Sequence, residues 1–266
     1  MNSLNFAKQI REMSVGMVYR ANASHIGGAM SMADILAVLY TDVLKYNPQR
    51  PQWDERDRFL LSKGHACVSY YATLALAGFF PPEKLDTYGQ NGSEFLCHIS
   101  HLIPGVEISA GSLGHGLPYG VGIALAARTQ DRSYRTFVLL GDGEMDEGSN
   151  WEALMFASHH HLNHLCAIID YNKIQSMGNT NEVMNLEPLA DKIKAFNCHV
   201  INIDGHNHAE ILRAFREFEQ QQDRPTVIIA NTVNGKGVSY MENNLAWHYK
   251  SPNEQQYEQA IKEIEQ

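Results

Sequence analysis

The chain has 266 residues, 44% of them hydrophobic and 19% charged, with a formal net charge of −9 at pH 7. That length and composition suit a single folded domain over residues 1–266 with a sizeable core, and they exclude a disordered chain. The acidic balance, with no block rich in Lys or Arg, excludes a general nucleic-acid binder, which needs a basic face.

Phe6, Ile10, Met13 and Met17 recur at helical spacing and predict an amphipathic helix over residues 4–19. Lys8, Arg11 and Glu12 interrupt its apolar residues, so it lacks a signal-peptide core, and no later run reaches the ~18 apolar residues of a membrane span. A loop is expected over residues 23–28 and a helix over residues 31–43, with Asp34 near its start. A polar loop over residues 47–57 leads into a short apolar strand, residues 58–62, that runs into Lys63-Gly64-His65. Residues 68–77 read as a helix closed by Gly78 and two prolines. Residues 88–120 form a long irregular stretch rich in Gly and His, a feature that in a compact domain is usually functional.

An Ala-rich helix over residues 121–128 follows, then a strand over residues 136–140 that ends in Gly141-Asp142-Gly143. A helix over residues 150–160 leads to a strand over residues 166–169, ending in Asp170-Tyr171-Asn172. Further strands are expected over residues 200–203 and 226–230, with a helix over residues 208–221 between them and a less regular tail after Ser251. Strands that are short, continuous apolar runs and alternate with helices imply an α/β fold: an open, mostly parallel sheet covered by helices on both faces. The four cysteines, Cys67, Cys97, Cys166 and Cys198, form no CxxC pair, which fits reduced thiols and a cytoplasmic protein.

In a right-handed β-α-β unit, Asp142 and Asn172 lie at the carboxyl ends of neighbouring strands, where open α/β sheets bind ligands. One carboxylate, one amide oxygen and one main-chain carbonyl suit a hard cation that keeps phosphate and water oxygens in its shell. Gly141 and Gly143 allow a phosphate to approach the backbone.

The string GDGEMDEGSNWEALMFASHHHLNHLCAIIDYNKIQ, residues 141–175, resembles the thiamine-diphosphate signature, and in particular the transketolase family. Three further strings fit that family: ASHIGGAMSMAD (residues 23–34), RDRFLLSKGH (residues 56–65) and PGVEISAGSLGHGL (residues 104–117). The last distinguishes the chain from the related deoxyxylulose-phosphate synthases. A fourth, GKGVSYMENNLAWH, covers residues 235–248. The resemblance spans about residues 25–248. It implies magnesium, or another divalent cation such as calcium or manganese, on Asp142, the Asn172 side chain and the Ile174 carbonyl. It implies His65 and Gly143 at the diphosphate, Gly111, Ser112 and Leu113 packed on the cofactor, and His248 at both cofactor and reacting sugar. It also implies His25 and His98 facing the sugar, with His101 as the competitor of His98, and Glu147 near a subunit contact that couples two active sites. Ile26 and Ile99 stand where the family usually has Pro.

A full transketolase is more than twice this length. The pyrimidine-binding and C-terminal domains, including the Glu that deprotonates the thiazolium, are expected on a partner chain, in an α2β2 assembly acting on sugar phosphates. Alternatives are the same cofactor chemistry on an unusual catabolic sugar, a non-catalytic module, and the α-subunit of a 2-oxoacid dehydrogenase. The cluster His159-His160-His161 with His164 reads as polar residues at a helix end and Cys97 as a plain thiol, while Asp204–Asn207 reads as a helix cap.

Overall fold

The computed structural model of the chain describes residues 1–266. Its elements in chain order are α1 (Ser3–Ala21), α2 (Ile26–Ser31), α3 (Ala33–Val38), β1 (Arg58–Leu61), α4 (Cys67–Leu76), α5 (Gly116–Thr129), β2 (Thr136–Gly141), α6 (Gly148–His159) and β3 (Leu165–Tyr171). Then come β4 (Ile174–Gln175), β5 (Gly178–Asn179), α7 (Thr180–Val183), α8 (Leu189–Ala195), β6 (His199–Asp204), α9 (His208–Glu219), β7 (Thr226–Asn231) and α10 (Glu254–Glu265).

Five strands form one parallel sheet in the order β1-β2-β3-β7-β6, and β4 with β5 makes a small antiparallel hairpin. Alternate residues of the sheet enter two separate cores. Phe59, Leu61, Phe137, Leu139, Cys166, Ile168 and Ile228 pack with α1, α3, α4, α9 and α10. Leu60, Val138, Leu140, Ala167, Ile169, Val227 and Ile229 pack with α5, α6 and α8. Both faces are therefore dry, which is why the strands read as unbroken apolar runs rather than alternating ones. The expected α/β architecture is the one observed. No helix is long and apolar enough to cross a membrane.

The β2–β3 register pairs Gly141 with Asp170. Asp142 and Asn172 consequently leave the sheet at the same carboxyl edge, as the strand–helix–strand spacing implied.

Four local features depart from the expectation. Helix begins at Ile26 rather than Ser31 and is broken at Met32 (φ −91°, ψ 0°) before α3 continues it. α5 begins at Gly116 rather than Val121. Gly116, Pro118 and Gly120 look like breakers, but Pro118 falls in the first turn, where the backbone N–H has no helical acceptor to lose. The tail after Ser251 is helical. Asn253 accepts from Gln256 N–H while Gln256 reaches back to the Asn253 backbone, and Tyr257 stacks on Tyr19 of α1 at 4.5 Å between ring centroids. The hairpin and α8 had no strong periodicity to announce them.

Two glycines of α5 separate close packing from helix propensity. A Cβ on Gly120 would meet Val138 Cγ2 at 2.3 Å, whereas one on Gly122 would meet nothing within 4 Å. Gly120→Ala is expected to destabilise the fold by ~1–3 kcal/mol through overpacking against β2. Gly122→Ala is expected to stabilise it by ~0.5–1 kcal/mol. Urea denaturation of the two variants checks the opposite signs.

Candidate functional site

Segments leaving β1, β2, β3 and β7 converge at the carboxyl edge on a cleft of about 240 Å³. Its floor is built on one ion pair. Lys63, just past β1, and Asp170, near the end of β3, are both buried and in direct contact. Lys63 Nζ also donates to Gly28 O at 2.7 Å. Asp170 further accepts from Ser31 Oγ at 2.5 Å, from Asn172 Nδ2 at 3.1 Å, and from the Thr232 hydroxyl. Burial alone would raise the Asp170 pKa, but the Lys63 ammonium and these donors outweigh it and hold it below the usual carboxylate range.

Asp142 stands beside this pair in the opposite condition. It is 2% exposed, and its carboxylate accepts from the Gly143 N–H at 2.8 Å and from the Lys173 N–H. No cationic side chain pairs with it, since Lys63 is committed to Asp170. Burial, with the Asp170 charge added, pushes the Asp142 carboxyl up to about 7. A buried carboxylate short of positive charge, next to the Asn172 side chain and Ile174, fits a divalent cation of oxygen preference. Asn172 Oδ1 meanwhile accepts from Ile174 N–H at 3.0 Å, which fixes the amide. Gly143 admits the chain of β4 at close range: a Cβ there would lie 2.6 Å from Gln175 Cβ. Glu144, buried behind it, accepts from Ser62 Oγ, from Gly114 N–H at 3.0 Å and from Gly141 N–H at 3.2 Å, and so ties the residue 111–114 loop to the turn after β2.

The opposite wall is imidazole. His25 lies 5.1 Å from His65, 6.0 Å from His98 and 5.0 Å from His248 between ring centroids. His25 takes a left-handed backbone (φ 68°), its N–H donates to His248 O at 2.8 Å, and Ser24 Oγ lies 3.0 Å from its Nδ1. A non-glycine residue held at positive φ stores strain that here aims a side chain into the cleft. His98 is placed by its neighbour: Ile99 N–H donates to Gly64 O at 3.0 Å. Gly64 is required there because a Cβ would lie 2.0 Å from Ala110 O. Burial, then the charges of His248 and His98, lower His25 to about 4. Burial, then Lys63, lowers His65 well below its usual value and lowers His248 as well. His25, His65 and His248 are therefore neutral near pH 7 and can each donate and accept one hydrogen bond.

The cleft thus gathers His25, His65, His98, His248, Gly111, Leu113, Asp142, Gly143, Asn172 and Ile174. His101 is exposed and turned to Ser109 Oγ at 2.8 Å, so His98 is the one brought inside. Ser112 and Glu147 are exposed and do not line the cleft; Glu147 precedes α6 with its Cβ against Gly114. Ile26 and Ile99 are buried in the core and do not line the cleft. Lys63, Glu144, Asn234 and Tyr249 line the cleft without having been singled out from the sequence. His161 Nδ1 pairs with Asp223 at 2.9 Å on the surface, and Asn207 caps α9 through Ala209 and Glu210, as expected.

A family model described as transketolase, thiamine diphosphate binding domain, matches residues 3–264. The chain is 43% identical to one of the subunits of the apulose-4-phosphate transketolase of Phocaeicola vulgatus, over 96% of this chain and 90% of that protein. It is 42% identical to a 6-deoxy-6-sulfo-D-fructose transketolase subunit of Clostridium sp., over 97% and 94%. Against the transketolase of Homo sapiens it is 36% identical over 97% of its own length but only 41% of that protein. The solved transketolase of Leishmania mexicana superposes with a TM-score of 0.94 at 32% identity, covering 100% of this chain and 42% of that one. The chain belongs to the transketolase family, as its thiamine diphosphate binding domain.

Two predictions test the electrostatics of the cleft. Breaking a buried ion pair leaves one charge uncompensated, so Lys63→Met and Asp170→Asn should each cost ~3–5 kcal/mol, with the double variant losing less than the sum. Urea denaturation of the three proteins measures this. The His25 pKa is about 4 in the folded chain against an ordinary 6.5, so the unfolded chain binds more protons between those values. Stability from this group is therefore present above pH 6.5 and lost as pH falls toward 4. His25→Asn, which tolerates the positive φ, should flatten that loss by about 1 kcal/mol at pH 5 after discounting for partial exposure, or ~2–4 °C in Tm. Melting both proteins from pH 5 to pH 7.5 shows whether the wild type loses more Tm toward acid than the variant.

Proposed function

We propose that this chain is the thiamine-diphosphate-binding subunit of a two-chain transketolase, moving a two-carbon ketol unit from a ketose phosphate to an aldose phosphate. The observation that carries the proposal is Asp142. It is a buried carboxylate without a cationic partner, set at the sheet edge across from neutral imidazoles. The near full-length match to relatives named as transketolase subunits supports it.

Asp142, the Asn172 side chain and the Ile174 carbonyl would hold magnesium, with calcium or manganese as substitutes. His65, Gly143 and His248 would meet the diphosphate, and Gly111 and Leu113, which line the cleft, would pack on the rest of the cofactor. Bound thiamine diphosphate supplies the carbon nucleophile of ketol transfer. The protein's part is positional and protonic. Neutral His25 and His248, with His98 beside them, donate hydrogen bonds to sugar oxygens and accept or return protons at the hydroxyls. The low proton affinity of His25 and His248 keeps them in the form that does both.

The partner chain would supply the pyrimidine-binding and C-terminal domains and the carboxylate that activates the thiazolium, in an α2β2 assembly. Exposed apolar side chains favour such a partner: Met177, which follows the cleft-lining Ser176, and Met184 stand open to solvent. Exposed Glu147 at the start of α6 would meet a second copy of this chain and couple the two sites. The chain would act as one domain. The four free cysteines support a reducing, cytoplasmic setting. The relatives' names, apulose 4-phosphate and 6-deoxy-6-sulfo-D-fructose, favour an unusual catabolic sugar over common pentose phosphates.

Co-expression with a candidate partner, followed by a ketol-transfer assay with thiamine diphosphate and magnesium, tests this. Activity is expected only in the pair, and Asp142→Ala should reduce it at least ~100-fold while leaving the pair assembled. Turnover by this chain alone, or full activity in Asp142→Ala, overturns the proposal.

A further inference from the structure

Beside the histidine wall stands an aromatic ring for which the fold has no use. Tyr249 lines the cleft yet is 61% exposed. Its ring centroid is 4.8 Å from that of His248, at 67°, and 6.3 Å from that of His25, at 58°. The backbone around it is held on every side. Leu245–His248 forms a 3₁₀ turn capped by the Asn244 side chain on Ala246 N–H at 3.1 Å. Trp247 is buried there and donates its Nε1–H to Tyr240 O at 2.8 Å. The strained His25 backbone grips His248 O, and Ser251 Oγ donates to Val18 O at 3.0 Å. A rigid segment thus presents Tyr249, whose ring stays in solvent over the imidazoles.

We propose that Tyr249 is a specificity-determining residue that selects the sugar by contact with the carbon chain held between His25 and His248. This rests on the function proposed above and names the part of the cleft that chooses among its substrates. The position favours sugar over the metal site, because the ring adjoins His25 and His248, both proposed above to serve the sugar hydroxyls, rather than Asp142 and Asn172. The chemistry fits as well. The rest of the wall is imidazole, which reads hydroxyls. A phenol ring offers an apolar face to the C–H side of a sugar and one hydroxyl for a polar substituent. Rigid aromatics of this kind discriminate at low entropic cost, and a single apolar contact in a pocket distinguishes related substrates by ~10–200-fold.

The test uses the assembled two-chain enzyme with Tyr249→Phe and Tyr249→Ala, and xylulose 5-phosphate, fructose 6-phosphate and apulose 4-phosphate as donors. For Tyr249→Ala we expect the ratio of kcat/KM between the best and the next donor to change by at least ~10-fold, mostly through KM. The Kd for thiamine diphosphate and the mass of the complex should stay unchanged. Tyr249→Phe should keep the wild-type ratio if the ring face selects, and lose it if the hydroxyl does. Unchanged ratios in both variants with the complex intact overturn the proposal, and so does dissociation of the complex in Tyr249→Ala, which would make the ring a subunit contact. A wild-type pair that assembles and binds cofactor but transfers no ketol unit from any donor overturns the underlying function instead.

Discussion

The cleft depends on how three charges are shared at the end of the sheet. Asp170 and Asp142 leave adjacent strands, and only Lys63 is near enough to neutralise either. The pair goes to Asp170, which also collects Asn172 two residues on and Ser31 and Thr232 from other segments. A carboxylate so surrounded stays ionised despite full burial, and its charge makes its neighbour harder to ionise. Asp142 is thereby left with a raised pKa and no cationic partner, so added positive charge beside it is favourable. The same pair fixes geometry, because Lys63 reaches Gly28 O and so positions the helix that begins one residue after His25.

Close backbone approach does the remaining work. Gly64 allows the loop carrying His98 to lie on the end of β1, and Gly143 allows β4 to lie against the turn after β2. Away from the cleft, Asp34 performs a similar task by side chains. It accepts from Arg11 and from His208 Nε2 at 3.0 Å, and it contacts His206 Nδ1 at 2.7 Å. The Val233 N–H donates to His206 Nε2 at 2.8 Å, so that nitrogen is unprotonated and Nδ1 carries the hydrogen given to Asp34. A neutral imidazole of defined tautomer thus locks the segment just before cleft-lining Asn234.

What the sequence revealed follows from what each signal measures. The sheet was legible because strands covered on both faces must be apolar throughout, and Asp142 and Asn172 were legible because strand ends have a fixed register. Lys63 and Asp170 were not. A Lys after a strand usually sits in water, and the pairing spans 107 residues of chain. Asp34 read as an acid in the first turn of a helix and His206 as part of a cap, roles compatible with local sequence but silent on the contact between them. The choice between His98 and His101 turned on one long-range hydrogen bond from Ile99, which no spacing encodes. Tyr249 resembled one more aromatic near a chain turn, and only its exposure beside His25 set it apart.

The charge arrangement also bears on the proposed partner chain. Lys63 is the only Lys or Arg among the cleft's lining residues, and Asp170 holds it. His25, His65 and His248 are neutral near pH 7, so they offer hydrogen bonds rather than full charge. A phosphate or sulfonate at the far end of a sugar needs charge-assisted donors to leave water without loss. Nothing on this wall supplies them. Under the proposed function, an anionic sugar bound here would place its reacting carbons among the histidines and its anionic end beyond them, on a surface of the proposed partner chain. Under that function, a neutral wall would hold hydroxyls without attracting the anionic end of the same sugar into the wrong half of the cleft.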